Sequence, residues 1–376
     1  MEKQLKVLYD HQIFEAQNIG GIPRYFAELL KYNPDAKLSL RYSDNLYLTE
    51  EYVKNHILFP KNHEYDRFFI KFRFKGKGRL IRYYTKLFQK DNQAASINLL
   101  KKSKFDVFHP TYYDPYFLNY IKDKPFVLTV HDMIYEKFPQ YFTGDTYTVL
   151  NKRKTILAAN QIITVSEHTK RDLLYFFPEL QEKITVIYHG STFPILSCDE
   201  RKENYILFTG GRGGYKNFDA FVRAIAPLLI KYNLRLVCTG QPFNDKERTL
   251  LESLHIADRT TCKLADEKEL MELYSKATAF VFPSLYEGFG IPVLEAFATG
   301  CPAVLSNTSS LPEAGGGGAI YFDPYSIDDM RAQIDRVISS SILQNELVKK
   351  GKERAKQFSW EKCARETMEV YKKIQK

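Results

Sequence analysis

The sequence predicts an α/β protein of two domains, each built around a parallel sheet. Its 376 residues exceed what one ordinary hydrophobic core holds, which favours two domains. Short apolar runs that read as strands alternate with segments that read as helices, an order typical of parallel sheets. Two of the predicted strands lead into glycine-rich turns, at residues 209–214 and 288–290, and such turns let a backbone approach a ligand closely.

The composition is that of a globular protein. No apolar stretch is long enough to span a bilayer, and the first residues lead into a predicted strand without the apolar region of a signal peptide. The cysteines are scattered and lack the spacing of a metal site. We therefore expect a reduced, cytoplasmic protein.

The positive charge, +9 in total, is concentrated in residues 67–90, where lysines and arginines are interleaved with phenylalanines and tyrosines. This mixture suits an anionic membrane surface, a polyanionic acceptor or nucleic acid. A solvated face made of a helix and a loop is the plain alternative.

In the first domain, the first strand is expected at residues 5–10 and the first helix from Pro23. Gly20 and Gly21 lie just before this helix, so the free N–H groups at its start are able to face a phosphate or a sugar. A plain tight turn explains the glycine pair equally well.

Two further predicted strands of this domain, residues 106–110 and 126–132, end in polar side chains. The ligand crevice of a parallel sheet lies outside the carboxyl ends of its strands. We therefore expect His109, His131 and Asp132 to face a cleft, although a histidine at a strand end is more often structural.

The second domain is expected to follow a linker at residues 191–203. A predicted strand from Tyr205 runs into the first glycine-rich turn, which contains Arg212 and Lys216. Fixed cations beside a flexible backbone suit a diphosphate leaving group, and two solvated basic residues on a loop are the alternative. The turn is not a P-loop, because no Gly-Lys-Ser/Thr ends it.

The second glycine-rich turn lies between a buried strand predicted at 277–282 and a short helix predicted at 292–299. Glu287 and Glu295 bracket it. A carboxylate only accepts hydrogen bonds and so matches the vicinal hydroxyls of a sugar or ribose. The helix start suits a phosphate. Together they indicate a diphosphate between two sugars, unless Glu287 merely caps a turn and Glu295 is solvated.

The run from Glu287 to Ala296 (EGFGIPVLEA) resembles the signature of retaining glycosyltransferases of family 4. The segment with Arg212, Lys216 and Asn217 resembles a second motif of that family. The resemblance implies the GT-B fold, in which two Rossmann-like domains with parallel sheets face a central cleft. It implies an N-terminal domain at 1–190, a linker at 191–203, a nucleotide-sugar-binding domain at 204–355 and a last helix at 356–376 that crosses back to the first domain.

The same resemblance implies roles for single residues. The catalytic set would be Glu287, His131, Arg212 and Lys216, with His131 positioning the donor sugar from the opposite domain. The donor-binding set would be Gly21, Arg212, Lys216, Gly240, Lys263, Leu264, Glu287, Phe289, Gly290, Ile291 and Glu295. The aromatic-Leu-Gly sequence of many relatives is missing at Lys263 and Leu264, which leaves the contacts to the base open.

The implied activity is that of a retaining hexosyltransferase in cell-surface polysaccharide synthesis, such as that of lipopolysaccharide. The donor would be a nucleoside diphosphate sugar, GDP-mannose before a UDP-hexose, and the acceptor a glycan or a lipid-linked saccharide. No cofactor or metal is expected, in agreement with the lack of an Asp-x-Asp sequence. The enzyme would work at the inner face of the plasma membrane, with residues 67–90 as a membrane contact and without a nucleic-acid partner.

Three alternatives stay open at this point. A sugar-nucleotide epimerase has a similar architecture but needs acid and base residues and no acceptor. A basic nucleic-acid-binding protein would explain residues 67–90 but neither the paired glutamates nor the Arg–Lys turn. A dinucleotide-dependent oxidoreductase is disfavoured, because no Gly-x-Gly-x-x-Gly follows the first strand.

Overall fold

The structure is a computed structural model that describes residues 5–49, 77–197 and 202–375. It has the predicted α/β architecture, with parallel sheets in two Rossmann-like domains. The basic and aromatic segment 67–90 lies outside the described residues up to position 76, and from 77 to 88 only a helical backbone is described. The prediction of a membrane contact there stays a prediction.

The first domain is built from short strands and flanking helices. The strands are β1 (Val7–Tyr9), β2 (Lys37–Leu38), β3 (Val107–His109), β4 (Val127–Val130), β5 (Gln161–Thr164) and β6 (Ile184–Val186). The helices are α1 (Gln12–Ala16), α2 (Gly21–Lys31), α3 (Lys77–Lys102), α4 (Ile134–Lys137), α5 (Thr146–Ala158) and α6 (Glu167–Phe176).

All described strand pairings of the first domain are parallel, in the orders β2-β1-β3 and β4-β5-β6. A parallel bridge between Phe108 and Phe126 joins β3 to β4. The chain therefore runs outward from β1 to β2 and returns to β3 on the other side of β1. The carboxyl ends of β1 and β3 flank the switch point at which a parallel sheet opens a crevice.

The second domain has one sheet in the order β12-β11-β10-β7-β8-β9. Its strands are β7 (Glu203–Phe208), β8 (Arg235–Thr239), β9 (Thr260–Lys263), β10 (Ala277–Phe282), β11 (Ala303–Ser306) and β12 (Ala319–Phe322). Its helices are α7 (Phe218–Lys231), α8 (Asp245–Ser253), α9 (Glu267–Lys276), α10 (Ile291–Ala298), α11 (Leu311–Gly315), α12 (Ile327–Ile338) and α13 (Ser341–Ala355). The switch point here lies between β7 and β10.

The last helix, α14 (Trp360–Lys373), packs on the first domain. Trp360 and Tyr371 are buried in one apolar cluster with residues of β1 and α2. Gly190 lies under the start of this helix: a Cβ atom there would come within 2.2 Å of the Trp360 nitrogen, so only glycine fits.

The expectation that His109 faces the cleft is wrong. Its Nδ1 is 2.6 Å from the hydroxyl of Tyr371, and its Nε2 is 3.0 Å from Oγ1 of Thr129. Both ring nitrogens are thus satisfied inside the protein, because α14 covers the end of β3. Burial lowers the pKa of His109 to about 3, so the ring is neutral.

Candidate active site

The switch point of the second domain carries both glycine-rich turns predicted from the sequence. The β7 loop (residues 209–217) and the β10 loop (residues 283–290) leave the carboxyl ends of adjacent strands. The N–H group of Leu285 donates to the carbonyl of Tyr215 at 2.8 Å, which holds the two loops side by side.

Lys216 and Glu287 meet between these loops. Nζ of Lys216 donates to Oε1 of Glu287 at 2.7 Å, and the two side chains are only 21% and 15% exposed. Burial by itself lowers the pKa of Lys216, but the charge of Glu287 outweighs it and raises the pKa above its ordinary value. The structure therefore places a permanent cation at the switch point.

Two serines hold the β10 loop in place. Oγ of Ser309 and Oγ of Ser310 donate to the carbonyl of Glu287 at 2.6 and 2.8 Å. Gly290, with a φ of 110°, is the N-cap of α10. Within the described residues, the N–H groups of Gly290 and Ile291 donate to no protein acceptor, which leaves the positive end of α10 open to an anion.

Glu295 lies one turn into α10 and is half-buried. The Tyr274 hydroxyl, from α9, donates to its Oε2 at 3.2 Å and also hydrogen-bonds Oγ1 of Thr209, at the start of the β7 loop, at 3.2 Å. Burial raises the pKa of Glu295 to about 7, while Tyr274 and Arg24 act in the opposite direction. Near neutral pH, this carboxyl group therefore changes between its charged form, which only accepts hydrogen bonds, and its protonated form.

The side chain of Arg212 forms hydrogen bonds with residues that follow β8 in the chain. Its guanidinium donates to both carboxylate oxygens of Glu247, at 2.9 and 3.2 Å, and to the carbonyls of Gln241 and Pro242, at 2.7 and 3.1 Å. Nη1 lies 3.4 Å from the sulfur of Cys262. The N–H groups of Nε and Nη2 are therefore engaged within the protein, whereas Nη1 has a second N–H group besides the one that faces Cys262.

Sequence reasoning missed Glu247. Together with Asn244 it forms a capping box at the start of α8, and that pattern of four residues is visible in the sequence. The pattern predicts a helix start and nothing more. The pairing with Arg212 depends on the tertiary fold, because the two residues lie 35 positions apart.

Gly240, Lys263 and Leu264 lie together at the ends of β8 and β9. The N–H of Gly240 donates to the carbonyl of Lys263 at 3.1 Å. A Cβ atom on Gly240, which has a φ of +122°, would lie 3.1 Å from the carbonyl oxygen of Gly210. Leu264 is 68% exposed, so an apolar side chain faces solvent beside these backbone groups.

The first domain meets the β10 loop directly. A Cβ atom on Gly288 would lie 1.9 Å from the carbonyl oxygen of His131, so a side chain is excluded there. The hydroxyls of Ser166 and Thr169, at the start of α6, donate to the carbonyl of Gly288 at 2.7 and 3.1 Å. Phe289 is buried in this contact.

The ring of His131 is buried beside this contact. It packs edge-on against Tyr25, and its Nε2 has no hydrogen-bond partner within the described residues. Burial, helped by the charges of neighbouring groups, lowers the pKa of His131 well below the ordinary value. Gly21, at the start of α2, faces α10: a Cβ atom there would lie 3.6 Å from Cδ1 of Ile291.

A second crevice opens at the switch point of the first domain. It is a cavity of ≈ 430 Å³ between the loops that follow β1 and β3, closed by α3 and α5. Tyr112, Tyr116 and Tyr147 give it aromatic walls, and Glu15 and Asp114 lie among its polar groups. Burial raises the pKa of Glu15 to about 8. Aromatic faces with carboxyl and amide groups suit a saccharide.

The structure thus brings most of the predicted donor-binding residues to one switch point. Lys216, Glu287, Gly290, Ile291 and Glu295 lie on the β7 loop, the β10 loop and α10. Gly240, Lys263 and Leu264 lie at the ends of the next two strands, and Gly21, His131 and Phe289 lie where the first domain meets the β10 loop. Arg212 lies beside Gly240 but is bound to Glu247. The roles of these residues stay predictions.

The described residues contain neither a candidate metal site nor a candidate membrane-spanning helix. No group of histidine, cysteine and carboxylate side chains there lies close enough to hold a metal ion. No helix among those residues is both long and apolar enough to cross a membrane.

Two family models match the chain, one in each domain. The model described as Glycosyltransferase Family 4 matches residues 47–191. The model described as Glycosyl transferases group 1 matches residues 199–354, which include both loops and α10.

The chain is similar to two bacterial mannosyltransferases. It is 28% identical over 295 residues to O-antigen chain mannosyltransferase B of Escherichia coli, which covers 73% of this chain and 76% of that protein. It is 31% identical over 198 residues to O-antigen chain mannosyltransferase RfbU of Salmonella typhimurium, which covers 52% of this chain and 56% of that protein.

Solved structures share the fold. WaaG, described as a glycosyltransferase involved in lipopolysaccharide biosynthesis, superposes with a TM-score of 0.69 at 16% identity over 96% of this chain and 98% of its own. Sucrose-phosphate synthase from Thermosynechococcus elongatus superposes with a TM-score of 0.72 at 19% identity over 99% of each chain. The predicted GT-B architecture is confirmed.

Proposed function

Since the chain belongs to the glycosyltransferases, with a family 4 domain followed by a group 1 domain, we propose that it transfers a mannosyl group to a saccharide of a cell-surface polysaccharide. The mannosyl group and the acceptor class follow from the names of the O-antigen mannosyltransferases to which it is similar. The donor is a nucleoside diphosphate sugar, GDP-mannose before a UDP-hexose.

One observation supports the proposed position of the donor site. The Lys216–Glu287 pair lies at the switch point of the second sheet, next to the open N-terminus of α10. In the proposed complex the diphosphate takes the place between Lys216 and the helix start. Glu287 then accepts a hydrogen bond from a hydroxyl of the sugar, and Glu295 accepts hydrogen bonds from the ribose hydroxyls.

Transfer builds negative charge on the leaving diphosphate, and stabilising that charge is the main electrostatic task of the site. Lys216 and the N–H groups at the start of α10 supply positive charge without a metal ion, so we propose that none is required. Retention of the anomeric configuration is part of the proposal because residues 287–296 resemble the signature of retaining enzymes.

The first-domain cavity is the proposed acceptor site. Tyr113 contributes to its wall and also accepts the backbone N–H of His131 at 3.2 Å, which connects the cavity to the donor side of the cleft. His131 is neutral, its Nε2 has no hydrogen-bond partner in the described part of the chain, and it lies at the boundary between the two sites. The proposal keeps residues 67–90 as the contact with the inner face of the plasma membrane, where a lipid-linked acceptor would be met.

The test is a donor screen. The purified chain is incubated with GDP-mannose, UDP-glucose and UDP-N-acetylglucosamine, each with and without a lipid-linked saccharide acceptor and with a metal chelator throughout. Release of the nucleoside diphosphate and the mass of the acceptor are measured. We expect GDP release that depends on the acceptor, and an acceptor heavier by one hexose.

Other outcomes separate the alternatives. Conversion of the sugar nucleotide into an epimer without acceptor would replace the proposal with an epimerase. Turnover that appears only when the chelator is replaced by a divalent cation would remove metal independence alone. Release from UDP-hexoses only would correct the donor while keeping the transferase.

A further inference from the structure

Arg24 on α2 of the first domain reaches the second domain. Its Nη2 donates to Oε1 of Glu267, at the start of α9, at 2.6 Å, and the side chain is only 12% exposed. Thr192, in the segment that joins the domains, donates to the same oxygen at 2.9 Å. Two parts of the chain therefore converge on a carboxylate that a third part carries.

Arg24 would keep its place without Glu267. Its guanidinium carbon lies 4.0 Å above the ring of Tyr47, and its Nη1 is 3.6 Å from Oε1 of Glu28 on the same helix. The cation–π contact and the second ion pair each hold the charge at the cleft wall.

The helix that carries Arg24 faces the helix that carries Glu295. Gly21, one turn before Arg24, faces Ile291, one turn before Glu295. On α9, Glu267 and Tyr274 are seven residues apart and so share one face of the helix. Glu267 binds Arg24 and Tyr274 binds Glu295. One face of α9 therefore contacts both residues.

The groups around Glu295 act on its charge in opposite directions. Burial is the largest influence and raises its pKa, and Glu267 of α9 raises it further. The hydrogen bond from Tyr274 and the charge of Arg24 lower the pKa. Tyr47, from the turn at residues 46–49, also interacts with Glu295.

We propose that Arg24 is a positioning residue for the donor. From the first domain it favours the charged form of Glu295, which accepts hydrogen bonds from the ribose hydroxyls. The inference rests on the proposed function, because it presumes that a nucleoside diphosphate binds at α10. It adds that closure of the domains is coupled to ribose recognition, since the first domain supplies the charge that the second-domain carboxylate needs.

The experiment compares a nucleoside diphosphate with its 2′-deoxy analogue. The probe is GDP or UDP, whichever binds the wild-type chain, and affinities are measured by calorimetry between about pH 5.5 and pH 8.5. The ratio of the two dissociation constants reports the ribose contact alone. In the wild type we expect the preference for ribose to rise with pH, with a midpoint near the Glu295 pKa of about 7.

Two variants that break the same ion pair are expected to move this midpoint in opposite directions. Arg24→Gln removes a cation and should raise it by about 0.5 to 1 pH unit, whereas Glu267→Gln removes an anion and should lower it. Arg24→Lys keeps the charge and should stay near the wild type. Arg171→Gln is the matched control, because it breaks another ion pair between the domains, with Glu313 at 3.8 Å, and should leave the midpoint unchanged.

Different outcomes would overturn either the inference about Arg24 or the proposed function. Shifts in the same direction for Arg24→Gln and Glu267→Gln, or an equal shift for Arg171→Gln, would mean that only domain contact matters and would overturn the inference. A midpoint that Arg24→Gln does not move would also overturn it while the proposed function stands. If neither diphosphate binds the wild type, the proposed function falls and the inference with it.

Discussion

At the scale of single residues, the cation at the switch point is the group on which the proposed transfer depends. Lys216 is paired with Glu287 and its pKa is raised above the ordinary value, so its ammonium group is charged at neutral pH. Arg212 differs from Lys216, because most of its guanidinium is held by Glu247 and two carbonyls.

The first prediction is that Lys216→Ala lowers kcat by about 100- to 1,000-fold, the loss expected when one charged donor to a leaving group is removed. The chain should stay folded, because the side chain lies at the cleft and not in the core. Steady-state rates with the donor identified in the screen, together with thermal unfolding, check both statements.

The control for this prediction is Lys231→Ala. Lys231 also forms an ion pair, with Asp335 at 3.3 Å, but it is exposed on α7 and such pairs contribute little. Its rate should equal that of the wild type. A Lys216→Ala enzyme with the wild-type rate would remove this residue from the site.

The sequence was informative about residues whose chemistry and spacing lie in one short segment. Glu287 and Glu295 could be predicted as site residues because a strand, a turn and a helix follow one another within roughly twenty residues. Glu247 and the burial of His109 were not found, because each depends on an element distant in sequence: Arg212 in one case and α14 in the other.

At the scale of elements, the β10 loop is shaped by its contact with the first domain. The carbonyl oxygen of His131 lies so close to Gly288 that only a hydrogen atom fits on its Cα, and Ser166 and Thr169 hold its carbonyl by hydrogen bonds. The glycine pattern in the sequence predicted a close approach to a ligand, and at Gly288 the close neighbour is another domain of the same chain.

The second prediction is therefore that Gly288→Ala lowers activity by about 100-fold, because a displacement of the loop by about 1 Å misplaces Glu287 and the start of α10. The domains should still fold, since the added methyl group clashes only across the cleft. Activity and the radius of gyration from small-angle scattering check the prediction, and we expect a more open molecule.

Gly317→Ala is the matched control for this substitution. It lies in the same domain, and a Cβ atom there would meet no atom of the described residues within 4 Å. Equal losses in both variants would show that the sheet tolerates no added methyl group, and the argument from domain contact would then fail.

At the scale of the whole molecule, the last helix, α14, returns to the first domain and contacts two of its buried histidines, His109 and His189. Gly190 and Trp360 fix the return of the last helix, and Tyr371 reaches His109 from it. The two-domain α/β architecture followed from length and alternation, whereas the contact between the domains did not, because no local pattern reports which strand end will meet which loop. Buried histidines collect at this contact, where His189 packs between Tyr25, Phe289 and Trp360.

The last prediction is that acid destabilises this contact through His189. Burial lowers its pKa to about 3, so below an ordinary pKa of about 6.5 the unfolded chain takes up a proton that the folded protein refuses. Stability is therefore unaffected by this group above about pH 6.5 and falls by about 1.4 kcal/mol for each pH unit below it, until the folded-state pKa is reached.

His189→Phe keeps an aromatic ring and, since Nδ1 has no partner within the described residues, should flatten the acid dependence by that amount. Trp360 is the single tryptophan, with its ring 5.3 Å from that of His189, so urea unfolding followed by its fluorescence reports on this cluster. Ile187→Val, a buried methyl deletion nearby, should lower stability by about 1 kcal/mol equally at every pH. Identical acid dependence in His189→Phe and the wild type would mean that the histidine is not held neutral at the domain contact.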